Sequence, residues 1–467
     1  MKKFFLVCVL SYVFFCGGAE SVELQKIRSV ELKNGMQIHV IPDNRLPVAM
    51  HMLVYKVGGM DDPPGLSGIA HYFEHLMFSG TKRFPKFPET INGIGGELNA
   101  GTTTSYTAFY ELINKRHLPL IMEMEADRMR NLQLTKEVME RERKVVREER
   151  KMRVESTVKG LLIEELYNVF YRNGYGMPVI GWDHEITNYN RRSADSFYHK
   201  YYNPNSAVLL VVGDVNFRDV VRLANKYYGK IKNLHEPPRA AFATKIDPEH
   251  RNDIIVKTEH PSVTEPVAVM LYQAPSIGTN SDKKIRASVL IASDIVAGDG
   301  FGVLYHELVN KRAIATRVAG AYNDRERSQG IVAVEIAPRN GVTPGDVNAV
   351  AKEIIAGLVA GGVTEELLND AKYRSMANFT YGLDDIEGRA WFYASTLAAG
   401  SDLILPEYML ETIKSVTVED VNEALKSVFS GATVEAHLMH RDDRGDVLAV
   451  EPAVDEGEKE GEEQHEE

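Results

Sequence analysis

Residues 71–75 read His71-Tyr72-Phe73-Glu74-His75, inside the stretch GLSGIAHYFEHLMFSGT that runs from Gly65 to Thr81. Leu66, Ile69, Phe73, Leu76, Met77 and Phe78 crowd this stretch and predict a helix buried on most sides. On such a helix His71 and His75, four residues apart, project from one side, and Glu74 shares that face. Two imidazoles so placed suit Zn²⁺, which favours nitrogen ligands and tetrahedral geometry. Glu74 then stands where it can take a proton from a metal-bound water. The competing reading is a polar surface pair, and the chain has 14 His to draw on. With that many, the pentapeptide arises by chance in about a few per cent of such chains. The apolar setting favours the metal, because buried imidazoles and carboxylates need partners.

A catalytic zinc usually has three protein ligands and one open position. The acidic and basic run TKEVMERERKVVREERKMRV, from Thr135 to Val154, predicts a helix. Within it Glu142 and Glu149 are two turns apart on one face, beside an apolar stripe of Val145, Val146 and Met152. Most charges of this run read as a solvated face laced with i,i+4 pairs. Spacing alone does not single out Glu142 and Glu149.

These segments resemble the zinc peptidases of the pitrilysin, insulin-degrading enzyme and mitochondrial processing peptidase superfamily. The resemblance rests on HYFEHLMFSGT, GGELNAGTTTSYTAFYELIN, ERKVVREERKM, GMPVIGWDHEI and YYNPNSAVLLVVGDV, and spans nearly the whole chain after the leader. The inverted motif H-x-x-E-H is that group's signature. The resemblance implies one Zn²⁺ per chain, with His71, His75 and Glu149 as ligands. It implies Glu74 as general base and Glu142 as a carboxylate behind the ligands, with Glu148 the rival of Glu149. It also implies that a peptide docks as an added strand beside the metal, through Gly96, Leu98, Asn99 and Ala100, in a segment followed by a strand-like run from Gly101 to Tyr110. Main-chain pairing of that kind reads extended conformation more than sequence. The activity implied is that of a zinc metalloendopeptidase acting on short or unfolded peptides.

Outside these motifs, 467 residues suit two domains. Formal net charge is −12, of which the tail from Glu451 to Glu467 carries nine acids against one Lys, and Lys2 and Lys3 offset two. The remaining −6 gives no basic footprint for nucleic acid. Residues 1–19 read as a secretory signal, a basic start followed by the apolar core Phe4 to Phe15, too short to span a bilayer comfortably. Both cysteines, Cys8 and Cys16, fall within it, so no disulfide is expected beyond it. The expected location is periplasmic or secreted in a bacterium.

The expected organisation is α+β, in two related halves, each an antiparallel sheet with helices packed on one face. The zinc-binding domain is placed at 20–232, a linker at 233–242, a related domain without a zinc motif at 243–446, and an acidic disordered tail at 447–467. Related enzymes complete the site with an Arg and a Tyr seven residues later. Here Val309 and Thr316 stand at those places, and Arg374 and Tyr381, with the same spacing, fall on a predicted long helix. The resemblance therefore implies a heterodimer with a homologous chain that supplies the Arg/Tyr pair, a homodimer being the second choice. A non-catalytic scaffold subunit of the same fold is the alternative function. Such subunits typically lose zinc or base residues, and this chain keeps them.

Overall fold

The computed structural model describes residues 27–235, 247–400 and 406–441. The leader, the centre of the linker and the acidic tail lie outside the described residues. The first sheet contains β1 (Arg28–Glu31), β2 (Gln37–Pro42), β3 (Val48–Tyr55), β4 (Glu97–Thr102), β5 (Thr107–Asn114) and β6 (Ala207–Gly213), in the spatial order β1-β2-β6-β3-β5-β4. The second contains β7 (Ile254–His260), β8 (Val267–Ala274), β9 (Ala315–Asn323), β10 (Gly330–Pro338) and β11 (Val434–His440), in the order β7-β11-β8-β10-β9. Each sheet is antiparallel except for one parallel pair, β2 with β6 and β11 with β7. The fold is α+β in two related halves, as expected, and β4 and β9 stand at corresponding edges.

Each sheet's own helices cover one face. Leu209 and Val211 of β6 turn to the core beneath the helix Ile69–Met77, while Val208, Leu210 and Val212 turn the other way. That second face is covered by Phe392, Tyr393 and Leu397 from the helix Ile386–Ala398 of the second half. The exchange is mutual. Leu162, Leu166 and Phe170, on the helix Val158–Phe170 of the first half, cover Leu271, Val434 and Leu438 of the second sheet. Two covered faces explain why β6 is apolar at nearly every position, which alternation for a half-solvated strand would forbid. Each of these side chains contributes about 1.5–3 kcal/mol on burial, so either sheet alone would expose a costly face.

The segment from Gly101 to Tyr110 corrects the single strand-like run expected there. β4 ends at Thr102 and β5 begins at Thr107, with a tight turn between them. Thr103 drives the turn. Its N–H donates to the Tyr106 carbonyl at 2.8 Å, and its hydroxyl accepts from the N–H groups of Ser105 and Tyr106. Threonine favours strands, but its hydroxyl can also stabilise a turn through its own backbone.

Candidate active site

The motif helix Ile69–Met77 starts at Gly68, whose φ of 80° lies in the left-handed region. A Cβ there would meet the Ile180 carbonyl oxygen at 2.5 Å, so only glycine fits. Gly68 has no side chain to cap with, and the buried Asp62 supplies one from outside. Its carboxylate accepts from the Gly68 N–H at 2.6 Å and the Ala70 N–H at 3.0 Å. At the far end the guanidinium of buried Arg128 donates to the Met77 carbonyl at 3.3 Å. Phe73 is fully buried among Phe197, Tyr198 and Tyr202, with ring centroids 5.3–6.0 Å away. The Tyr72 hydroxyl donates to the Met139 carbonyl at 2.6 Å and so ties this helix to the next one, Lys136–Arg150. That second helix begins one residue after Thr135, whose hydroxyl accepts from the Val138 N–H.

The two helices bring His71, His75 and Glu149 together. Glu149 Oε2 lies 3.1 Å from His75 Nε2 and 3.5 Å from His71 Nε2, and the imidazoles are 4.8 Å apart between centroids. One donor atom from each residue falls within 4.8 Å of the others, a grouping able to hold one metal ion. Glu142 Oε2 stands 3.7 Å from His75 Nδ1, on the side of the ring away from Glu149. Glu148 stands outside that grouping, exposed at the rim of the adjoining cavity, where it accepts from Lys151 at 2.7 Å. The expected apolar stripe is divided, with Val146 buried and Val145 and Met152 exposed along the rim of the cavity beside these residues.

The electrostatics suit metal ligation. Burial, assisted by His75 and Arg153, lowers the His71 pKa to about 3, so its imidazole is neutral. Burial acts the same way on His75, but Glu142, Glu149 and Glu74 outweigh it and raise that residue's pKa. Burial raises the Glu74 carboxyl, against the opposing effects of Thr102 and His75. The Thr102 hydroxyl donates to Glu74 Oε2 at 2.6 Å. Two neutral-capable imidazoles and a carboxylate form a donor set that fits Zn²⁺.

Beside the donors lies an open cavity of about 910 Å³, bordered by Asn99, Ala100, Gly101 and Thr102 of β4. Among the described residues β4 pairs only with β5 and is an edge strand. Of the residues expected to meet a peptide, Asn99 is exposed and Ala100 half-buried, both on the cavity. Leu98 packs into the core, and Gly96 is buried in the turn before the strand, where a Cβ would strike Ile113 at 2.6 Å. Two further contributors carry little signal in the sequence: Thr102, and Arg153, whose Nε donates to Glu149 Oε1 at 2.9 Å. Only a Thr-rich run and a basic residue four after Glu149 mark them. Val309 and Thr316 lie on the second half, Val309 against its core and Thr316 bonded to the Ala337 carbonyl. Arg374 is held by Asp294 at 2.6 Å, and Tyr381 is exposed.

Fold and site together are those of a metallopeptidase-type protein of two related halves, in the pitrilysin-type superfamily. The profile of Insulinase (Peptidase family M16) matches residues 40–182, and that of the Peptidase M16 inactive domain matches 188–374. The chain belongs to peptidase family M16. It is 30% identical over 420 residues to the zinc protease PqqE of Helicobacter pylori, covering 87% of this chain and 92% of that protein. It is 22% identical to the uncharacterized zinc protease YmxG of Bacillus subtilis, over 86% of this chain and 96% of that one. The crystal structure of a protease from Helicobacter pylori superposes with a TM-score of 0.81 at 25% identity, over 89% of this chain and all of that chain. The first half of the periplasmic protease PqqL from Escherichia coli shares the fold, with a TM-score of 0.74 at 16% identity, over 89% and 92% of the two chains. No single helix among the described residues is long and apolar enough to cross a membrane.

Proposed function

We propose that this chain is a zinc metalloendopeptidase that cleaves short or unfolded peptides laid against β4. The observation that carries the reading is the meeting of His71, His75 and Glu149 beside Glu74 at a sheet edge left unpaired among the described residues. His71, His75 and Glu149 would hold the metal, one ion per chain. Zinc, when bound, supplies a Lewis acid that acidifies water and polarises a carbonyl group. Glu74 accepts the proton of the attacking water at its free carboxylate oxygen and returns it to the departing amine. Its raised pKa suits both halves of that task. Thr102 holds the other oxygen of Glu74, so the carboxylate keeps one orientation. Glu142 fixes the ring of His75 from behind and favours the tautomer that leaves Nε2 free. The substrate backbone pairs with β4, which leaves Asn99 and Ala100 to meet its side chains.

The second half offers no Arg/Tyr pair at Val309 and Thr316, and Arg374 is engaged by Asp294. A homologous second chain supplying that pair is therefore the partner we propose, with a second copy of this chain as the other choice. An exported, periplasmic or secreted location accompanies this reading, on the strength of residues 1–19. Metal analysis with a peptide assay tests it. The purified protein should hold about one zinc per chain, and chelation should abolish hydrolysis of quenched unstructured peptides. A protein that retains no zinc would favour the scaffold role.

A further inference from the structure

The second half reaches the site through two adjacent residues, Glu326 and Arg327. Glu326 Oε2 accepts from the Ser105 hydroxyl at 2.6 Å and the Thr104 hydroxyl at 3.0 Å, both in the turn that joins β4 to β5. Its other oxygen accepts from Asn323 at 2.9 Å. Ser105 is buried and also meets the Tyr175 hydroxyl at 2.9 Å. The next residue, Arg327, forms a buried ion pair with Asp61. Asp61 precedes Asp62, the carboxylate that caps the motif helix. Turn and cap are themselves joined: the Gly59 and Met60 N–H groups donate to the Thr103 and Thr104 carbonyls, both at 3.0 Å. On the opposite face Trp391, also from the second half, stands edge-on to Tyr110, 5.4 Å between centroids.

Glu74 is suspended between the two gripped elements. Its backbone belongs to the helix capped by Asp62, and its carboxylate is held by Thr102, one residue before the gripped turn. We propose that Glu326 and Arg327 are positioning residues, through which the second half sets the placement of Glu74 against the metal ligands. The inference rests on the reading of Glu74 as general base. It assigns the half that lacks a zinc motif a part in the chemistry without contact with substrate. Glu326 binds two hydroxyls that a neutral amide can still satisfy in large part, so the role needs acceptor oxygens in place rather than a charge.

Glu326→Ala and Glu326→Gln in the full chain test this, read by peptide hydrolysis, zinc content and hydrogen exchange. A displacement of about 1 Å at a reacting group can lower turnover by about 100-fold. In Glu326→Ala, kcat should fall by about 10- to 100-fold, with KM and zinc content within about two-fold of wild type. Exchange should quicken in segments 58–70 and 99–107 and stay unchanged in the second sheet. Glu326→Gln should recover most of kcat and of the protection. Unchanged exchange in both segments, or a uniform rise across the chain, would overturn the proposal, as would turnover within two-fold of wild type. Should the wild-type chain hydrolyse nothing alone, the exchange decides: local quickening sustains the grip, and unchanged exchange overturns it. Hydrolysis that survives Glu74→Gln would refute the general base itself, and the exchange pattern would still decide whether the second half grips the turn and the cap.

Discussion

Asp62→Ala removes the cap of the motif helix while leaving every proposed ligand in the chain. Asp62 is buried and its two oxygens each accept one backbone N–H, from Gly68 and Ala70. Burial raises the Asp62 pKa well above the usual carboxylate range, so the loss is reckoned from the donors it leaves: each orphaned buried N–H costs about 1–3 kcal/mol. Two such donors give about 2–6 kcal/mol. Water entering the vacated space would offset part, and a value near the lower end is expected. Arg327 and Asp61 are left intact, which separates the cap from the ion pair beside it. The assay is urea unfolding of metal-free wild type and variant, followed by zinc competition against a chelator. The cap holds the first turn that presents His71, so zinc affinity should fall as well, ten-fold for each 1.4 kcal/mol that metal binding must spend on reordering that turn. A stability change below about 1 kcal/mol with unaltered zinc affinity would refute the reasoning.

Other substitutions probe the site and the scaffold separately. His71→Ala and His75→Ala should each reduce zinc from about one ion per chain towards none, measured by elemental analysis, with hydrolysis lost in parallel. Glu142→Gln should keep the zinc but weaken its binding by about 10–100-fold, as removal of a carboxylate behind a ligating imidazole does. Competition with a chelator reads this directly. In the second half Glu435 is buried, and although burial alone would raise its carboxyl, contacts with His437, Lys352 and Asn348 lower its pKa to about 2. A depressed carboxyl stabilises the fold above its unfolded value near 4.5, and that contribution disappears as pH falls through about 2. The displacement from 4.5 to about 2 is worth roughly 3 kcal/mol at neutral pH. The thermal midpoint of Glu435→Gln should therefore lie below wild type at pH 7, and the gap should narrow between pH 5 and 2.

The legible parts of this chain are those whose geometry is local. His71, Glu74 and His75 fall on one face of one short helix, so their spacing and the apolar residues around them mark them together. Glu149 requires the resemblance, because its many Glu and Arg neighbours on the same helix have equal claims by periodicity. The helix beginning at Lys283 is visible from its cap, Asp282, whose side chain accepts from the Lys284 N–H. β7 and β9 leave a weak signal, since both are edge strands with mixed exposure and Gly320 interrupts β9. The exchanged helices are hidden for another reason. Their partners lie far away in the chain, and only the unbroken apolar run of β6 hints at a second covered face. Thr102, Asp62 and the Glu326–Arg327 pair belong to the same class: each makes a contact that no helical or strand periodicity encodes.

The central claim is that Glu74 moves the proton in a hydrolysis centred on His71, His75 and Glu149. Wild type and Glu74→Gln should be compared at equal zinc loading, by hydrolysis of a quenched unstructured peptide mixture, with any partner chain present at the same concentration. The amide keeps the size of Glu74 and can still accept from Thr102, so metal content and stability should match wild type while turnover falls by about 100- to 10,000-fold. Turnover within a few-fold of wild type, with zinc retained, would contradict the claim.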